Sequence, residues 1–306
     1  MAPARLIVNP HASRVTPALV RAVERELGDV ETVLTERPGH ATALAGAINS
    51  GRLYVLSGDG GFNEAVNGLA ADVPVGFIPG GGTSVLPRAL GLPRDPLACA
   101  RSLARSQATR RISVGRANGR RFTFSAAVGL AAELVREIDR LGRTGGRRPG
   151  DLTWAVTLAR LLARRGGRLP PALTVAGRGR AALALVANCD PYSYAGPLPL
   201  HVAPRARFEL GLDLVAPVEL RPSRIARAAF GLLVRPVHVR APWMIHVHDA
   251  EELRIECDAP TPLQVDGEDL GDVTDVRFRA ERLALDALVP EAVDGRGRPL
   301  GEAAVG

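Results

Sequence analysis

The chain has 306 residues, 46% of them hydrophobic and 23% charged, with a formal net charge of +7. This is a globular composition that excludes wholesale disorder, and at roughly 100–200 residues per domain it predicts two domains. No lysine occurs, so all 39 basic residues are arginine; this excludes the lysine-bearing Walker-A phosphate loop, the strand lysine of protein kinases and Schiff-base catalysis.

In chain order, Arg5–Val8 is a short apolar strand-like run and Pro17–Leu27 reads as a helix. Val30–Leu34 is β-branched and strand-like, and His40–Asn49 is Ala-rich and helical. Arg52–Leu56 reads as a strand, Asn63–Ala71 as a helix, Val73–Ile78 as a strand, and Val85–Leu90 and Pro96–Ser106 as helices. Alternation at this pitch predicts βαβ units on a parallel, Rossmann-like sheet. From about Arg111 short β-rich runs take over: 111–114, 122–127, 173–175, 182–187, 212–216, 237–240, 244–247, 253–257, 263–265 and 276–278. They predict a mainly β sandwich, interrupted by one helical insertion at about 130–165. The expected domains are 1–112 and 113–289, with a loose tail at 290–306 that packs back on the first.

The longest strictly apolar run, Ala181–Ala187, is far short of the ~20 residues that span a bilayer. The N-terminus lacks the apolar core of a signal peptide, so the expected location is the cytoplasm. Cys99, Cys189 and Cys257 form no CxxC pair and read as small buried hydrophobes rather than zinc ligands or disulfides.

Three segments carry chemistry. Ser57-Gly58-Asp59-Gly60-Gly61-Phe62-Asn63 follows a strand and opens a helix. Backbone N–H groups in such a turn bind phosphate without lysine, and Asp59 beside phosphate calls for Mg²⁺. A plain tight turn with Asp59 as a cap is the competing reading. Pro79-Gly80-Gly81-Gly82-Thr83-Ser84 repeats the arrangement one βα unit later, and Asn9-Pro10-His11-Ala12-Ser13 ends the first strand. Two glycine turns at successive strand ends predict a shared phosphate-binding edge. The third segment is Val265-Asp266-Gly267-Glu268. If it is extended, both carboxylates share a face and either could take a proton from an attacking hydroxyl; Asp-Gly alone is also an ordinary hairpin turn.

The combination Asn9-Pro10…Ser13, Gly58-Asp59-Gly60…Asn63-Glu64…Asn67-Gly68, Gly80-Gly81-Gly82-Thr83…Gly91-Leu92-Pro93 and Asp266-Gly267-Glu268 resembles the diacylglycerol kinase catalytic-domain family, which includes bacterial lipid kinases and sphingosine and ceramide kinases. The segment Asn188…Gly196, with Ala203-Pro204 and Gly211–Leu214, looks like that family's second domain. The resemblance implies an NAD kinase-like α/β nucleotide domain followed by a β-sandwich lipid domain, with ATP and lipid meeting between them. It implies ATP contacts at Asn9, Pro10, His11, Ala12, Ser13, Thr35, Ser57, Gly58, Asp59, Gly60, Gly61, Phe62, Asn63, Gly81, Gly82 and Thr83. It also implies catalysis by Asp59, Asp266 and Glu268, with Asp59 reaching Mg²⁺ through Mg-ATP. The implied reaction is γ-phosphoryl transfer from ATP to a lipid hydroxyl, diacylglycerol by default.

Four positions depart from the family pattern. Gly61 replaces a threonine, and Ser84-Val85 stand where an asparagine is expected. Ser113 stands at an aspartate position, and Glu209-Leu210-Gly211 replaces a metal loop of the form Asp-Asp-Gly. These losses keep a second reading alive, a non-catalytic lipid- or nucleotide-binding protein; NAD kinase is a third.

The arginine-dense stretch Arg136–Arg168, interleaved with Leu152, Trp154, Val156 and Leu158, suits an anionic membrane surface, with the solvated face of an ordinary core helix as the competing reading. The expected partner is therefore a lipid at the inner membrane face, with no nucleic acid, and a homodimer is left open. His246 and His248 share a strand face next to Asp249, but no third metal ligand is evident.

Overall fold

The computed structural model describes residues 4–70, 72–142, 149–233 and 238–291. The tail from 292, with its expected return to the first domain, lies outside them, as do Arg143, Arg147, Arg148 and Val237. The chain divides into two compact units, Met1–Arg111 with Leu285–Gly306, and Ile112–Ala284.

The first unit runs β1 (Ala4–Val8), α1 (Pro17–Leu27), β2 (Val30–Leu34), α2 (His40–Gly46), β3 (Leu53–Ser57), α3 (Asp59–Gly68), β4 (Val75–Pro79), α4 (Val85–Ala89) and α5 (Pro96–Arg105). The strands pair in parallel in the order β2-β1-β3-β4. Every residue of β3 and β4 is buried, which is why both read as unbroken apolar runs rather than alternating ones. Helix starts follow local chemistry. Thr16 accepts from Leu19 N (3.1 Å) ahead of Pro17, and Asp95 accepts from Ala98 N (2.8 Å) ahead of Pro96. Ala287 adds to the sheet in parallel register with Val75. Val289 brackets the end of α5: its N–H donates to Ala108 O (3.1 Å) and its carbonyl accepts from Ser106 Oγ (2.7 Å).

The second unit is β-rich, as expected: β5 (Thr109–Ala117), β6 (Arg120–Phe122), β7 (Ser125–Val128), β8 (Leu173–Val175), β9 (Gly179–Ala181), β10 (Ala184–Ala187), β11 (Ser193–Ala195), β12 (Leu198–Leu200), β13 (Leu212–Pro217), β14 (Met244–Ala250), β15 (Glu252–Val265) and β16 (Glu268–Leu288). Antiparallel pairing runs β14-β13-β10-β7-β15-β16. These strands close on one apolar core that includes Phe122, Val128, Val186, Leu214, Ile255 and Phe278. The helical insertion is α6 (Leu130–Arg140) and α7 (Asp151–Arg164).

The structure corrects three expectations here. The runs at 253–257 and 263–265 are one strand, carried past Pro260 and Pro262 by register shifts. The run ending at Arg240 is a 3₁₀ turn, His238–Arg240, rather than a strand. A further helix, α8 (Pro222–Leu233), escaped notice, although Pro222 at its start and Ile225, Ala229 and Leu232 at helical spacing announce it.

Candidate active site

The chain leaves β1 toward β2 on one side and continues through β3 and β4 on the other, so β1 and β3 flank a topological switch point. In open α/β sheets ligands bind outside the carboxyl ends of the strands at such a point. Asn9 N donates to Leu56 O (3.0 Å), Thr35 N to Val8 O (2.8 Å), Gly80 N to Ser57 O (2.7 Å) and Arg14 N to Gly80 O (2.9 Å). These bonds place Asn9–Ser13, Thr35, Ser57–Gly61 and Gly81–Thr83 along one sheet edge. The two glycine turns lie side by side: a Cβ on Gly81 would sit 2.8 Å from Gly58 Cα, so only glycine allows that approach. The loop after β1 is fixed by His11 N donating to Asn9 Oδ1 (2.9 Å).

Helix α3 starts four residues earlier than its sequence suggests, so the glycine turn is itself the first helical turn. Gly58 caps it with no side-chain hydrogen bond, leaving the positive end of the helix to the solvent edge. Two residues expected at this edge turn away from it. Phe62 is fully buried edge-on against Phe77 (5.4 Å between centroids), and its N–H already donates to Gly58 O (3.1 Å). Asn63 is fully buried and accepts from Asn67 Nδ2 (3.1 Å). Gly68 belongs to packing as well, because a Cβ there would collide with the Thr42 backbone of α2.

Asp59 opens α3, and its Oδ1 accepts from Leu86 N of α4 (3.2 Å). It thus ties together the helices that follow the two glycine turns. Val85, at an expected asparagine position, is a buried core residue, and Ser84 adopts φ 48° with its hydroxyl turned back to Gly81 O (3.3 Å). Among the described residues no three His, Cys, Asp or Glu side chains group as a metal site. A divalent cation at this edge would have Asp59 as its carboxylate and would draw its other oxygens from a bound polyphosphate.

In the second unit, Asp266-Gly267 is a two-residue hairpin loop between β15 and β16. Val265 pairs with Glu268, and φ is 47° at Asp266 and 79° at Gly267, the signature of a type I′ turn. The extended reading is therefore overturned, and Asp266 and Glu268 do not share a strand face. Asp266 is 2% exposed and its carboxylate is enclosed by donors. Thr123 N (2.7 Å) and Thr123 Oγ1 (2.9 Å) donate to Oδ2, and Phe124 N (3.0 Å) and Ser125 N (3.2 Å) donate to Oδ1. The turn is also held by Gly267 N donating to Gln264 Oε1 (2.8 Å). Gln264 in turn lies beside the Tyr192 hydroxyl (3.4 Å), which donates to Ala126 O (3.0 Å). Burial pushes the Tyr192 phenol well above its ordinary range, so it stays a donor. Glu268, half-buried, reaches Arg120 Nη2 at 3.4 Å.

Thr123, Ser125 and Gln264 escaped the sequence reading. Their signal was a polar residue alternating with Phe122, Phe124, Leu263 and Val265 in strand-like runs. Ser113, at the expected aspartate position, is fully buried, and its hydroxyl accepts from Leu283 N (3.1 Å). At the Glu209-Leu210-Gly211 loop, Gly211 N donates to Asp249 Oδ1 (2.7 Å), which also accepts from Arg282 Nη2 (2.7 Å), so a guanidinium stands beside this loop. These bonds hold the Asp249 carboxyl below its usual range, the Gly211 amide contributing most. His246 and His248 both face the fully buried Asp213, at 3.8 and 2.8 Å. Cys99 and Cys189 are buried thiols outside any disulfide, and burial pushes the Cys99 thiol up to about 12.

Residues 3–117 match the family model of the diacylglycerol kinase catalytic domain. The diacylglycerol kinase of Bacillus subtilis (strain 168) is 32% identical over 148 residues, 44% of this chain and 48% of that protein. The diacylglycerol kinase of Staphylococcus carnosus (strain TM300) is 31% identical over 150 residues, 44% of this chain and 47% of that protein. The chain spans about half the length of the curated relatives it matches. A candidate diacylglycerol kinase of Bacillus anthracis str. Sterne, solved as a structure, is similar with a TM-score of 0.70 at 22% identity, covering 95% of this chain and 98% of that one. That likeness shows a shared fold along nearly the whole length. Residues 3–117 thus carry a match to the diacylglycerol kinase catalytic-domain family, and the chain as a whole shares the fold of the solved Bacillus anthracis protein.

Proposed function

We infer that this chain is an ATP- and Mg²⁺-dependent lipid kinase that transfers the γ-phosphoryl group to a lipid hydroxyl, with diacylglycerol as the first acceptor to test. The observation that carries this reading is the uncapped start of α3 packed against the second glycine turn at a switch point. Main-chain N–H groups and the helix dipole favour a polyphosphate there without any lysine. Bound Mg²⁺ would neutralise phosphate charge. Asp59 is the carboxylate placed to meet that cation, and the glycine turns fix the phosphate positions.

Of the two distant carboxylates, Glu268 is the one with solvent access, and Arg120 stands beside it. In this reading it takes the proton of the lipid hydroxyl as that oxygen bonds to phosphorus and the bond to the ADP oxygen breaks. Asp266 is a positioning residue, because its carboxylate is already saturated by main-chain and threonine donors. The membrane face is α7: Leu152, 77% exposed, and Val156, 39% exposed, lie one turn apart, and exposed Arg160 and Arg164 follow. Apolar insertion beside arginines suits an anionic bilayer. No helix among the described residues is long and apolar enough to cross a membrane, and peripheral attachment at the cytoplasmic face is the proposed arrangement.

One observation favours a non-catalytic nucleotide- or lipid-binding protein instead. At the expected aspartate position the Ser113 hydroxyl is committed to Leu283 N. The two readings separate by transfer of radiolabelled γ-phosphate from Mg-ATP to a panel of lipids in mixed micelles, with NAD as a soluble acceptor and Glu268→Ala as control. Label in one lipid that disappears in the variant is the expected result. ATP binding with no label in any acceptor would leave the non-catalytic reading standing.

A further inference from the structure

Ser57 ends β3, is 1% exposed, and has a hydroxyl oxygen without a hydrogen-bond partner. A buried hydroxyl left unpaired costs stability, and such atoms in native proteins call for an explanation. Its main chain is fixed, because Ser57 O accepts from Gly80 N at 2.7 Å. Its side chain occupies the space that a side chain on Gly61 would need. A Cβ built on Gly61 would fall onto the Ser57 hydroxyl and lie 2.8 Å from Ser57 Cβ, with Asn9 Nδ2 3.9 Å away. Gly61 is the third residue of α3, whose first turn no side chain caps. The unpartnered hydroxyl therefore sits against the uncapped end of a helix, at the position where a side chain of residue 61 would begin.

We propose that Ser57 Oγ–H donates to a phosphate oxygen of the bound nucleotide, and that Ser57 and Gly61 form an exclusive pair in which only one position can carry a hydroxyl. The hydroxyl missing at position 61 is supplied from the end of the neighbouring strand. This rests on the nucleotide reading above. It differs from a structural role for Ser57 in one respect: removing the hydroxyl should weaken ligand binding without weakening the fold.

The test uses the full chain, with Mg-ATP titrated by calorimetry and Tm measured without ligand, for wild type, Ser57→Ala, Gly61→Thr and the double variant Ser57→Gly/Gly61→Thr. Ser57→Ala should raise the Kd for ATP about tenfold, the loss of one hydrogen bond to a charged group, with Tm at or above that of wild type. Gly61→Thr should lower Tm and abolish binding by steric conflict. The double variant should recover both, because the hydroxyl has only moved. Wild-type affinity in Ser57→Ala would overturn the phosphate contact. A double variant as unstable as Gly61→Thr would overturn the pairing, a result that Tm reports whether or not nucleotide binds. Wild-type protein that does not bind ATP would overturn the nucleotide reading and the phosphate contact together.

Discussion

Two Asp-Gly pairs, Asp59-Gly60 and Asp266-Gly267, occupy opposite kinds of site. The first opens a helix, where the glycines expose main-chain N–H groups and the aspartate reaches across to Leu86 N. The second makes a left-handed hairpin turn, where the aspartate is swallowed by Thr123, Phe124 and Ser125 and Glu268 beyond the glycine lies half-buried beside Arg120. The same dipeptide thus delivers backbone chemistry in one unit and aims a side chain in the other. Residue identity alone does not assign a catalytic role; the direction of the carboxylate does.

The sharpest way to break that contrast is to exchange the fates of the two carboxylates in the hairpin. Glu268→Gln should cut phosphoryl transfer by about 10²–10⁴, the range for a general base, with unchanged unfolding. Asp266→Ala should instead destabilise the chain by about 3–5 kcal/mol, because buried donors lose their charged acceptor; chemical denaturation reads this. Transfer lost without stability in Asp266→Ala would return that residue to the chemistry.

In the first unit the corresponding lesion is Gly81→Ala. Its new Cβ would press on Gly58 Cα, costing about 1–3 kcal/mol of strain. Nucleotide affinity should fall by at least tenfold, as isothermal calorimetry would show, while vesicle binding through α7 should stay at the wild-type level.

Smaller effects sharpen the comparison. Arg160→Glu/Arg164→Glu should weaken binding to anionic vesicles by about fivefold per charge, from ~1 kcal/mol per basic residue near the surface. The loss should shrink in high salt, and stability should stay within about 0.5 kcal/mol of wild type. Vesicle flotation at two salt concentrations decides it.

The smallest effect concerns the strand just beyond Glu268. Arg136 of α6 holds Asp269 (2.7 and 3.0 Å) and Asp272 (2.6 Å), and its hydrogen bonds keep the Asp269 carboxyl below the usual range. A carboxyl depressed in the folded state contributes stability above its unfolded value, and that contribution is lost as pH falls through the folded one. Arg136→Ala should therefore cost about 1–2 kcal/mol at pH 7. The gap from wild type should narrow below about pH 4, where an unfolded aspartate begins to protonate.

The first unit was legible because a doubly covered parallel sheet writes itself as apolar runs ended by Gly and Pro. The glycine edge was legible for the same reason, since strand order places β1, β3 and β4 ends together. The boundary of α3 was not, because Gly60 and Gly61 disfavour a helix interior yet suit an open first turn. Phe62 and Asn63 were read as edge residues when the helical twist turns both inward. In the second unit turn chemistry at Asp266-Gly267 overrides the extension that an i, i+2 pattern suggests. The donors around Asp266 come from residues more than 140 positions away in sequence, and no local pattern links them to it.

Ala287 and Val289 bear on how the chain is made. The outer edge of β4 and the end of α5 receive their partners from residues that follow the whole second unit. On a ribosome adding roughly 5–20 residues per second, residues 112–284 take on the order of ten to thirty seconds to emerge. During that interval the nascent first unit holds an open strand edge, the kind of surface that pairs with other chains. A fragment ending at Arg111 would keep that edge permanently, so the first unit is better produced from the full chain than excised from it.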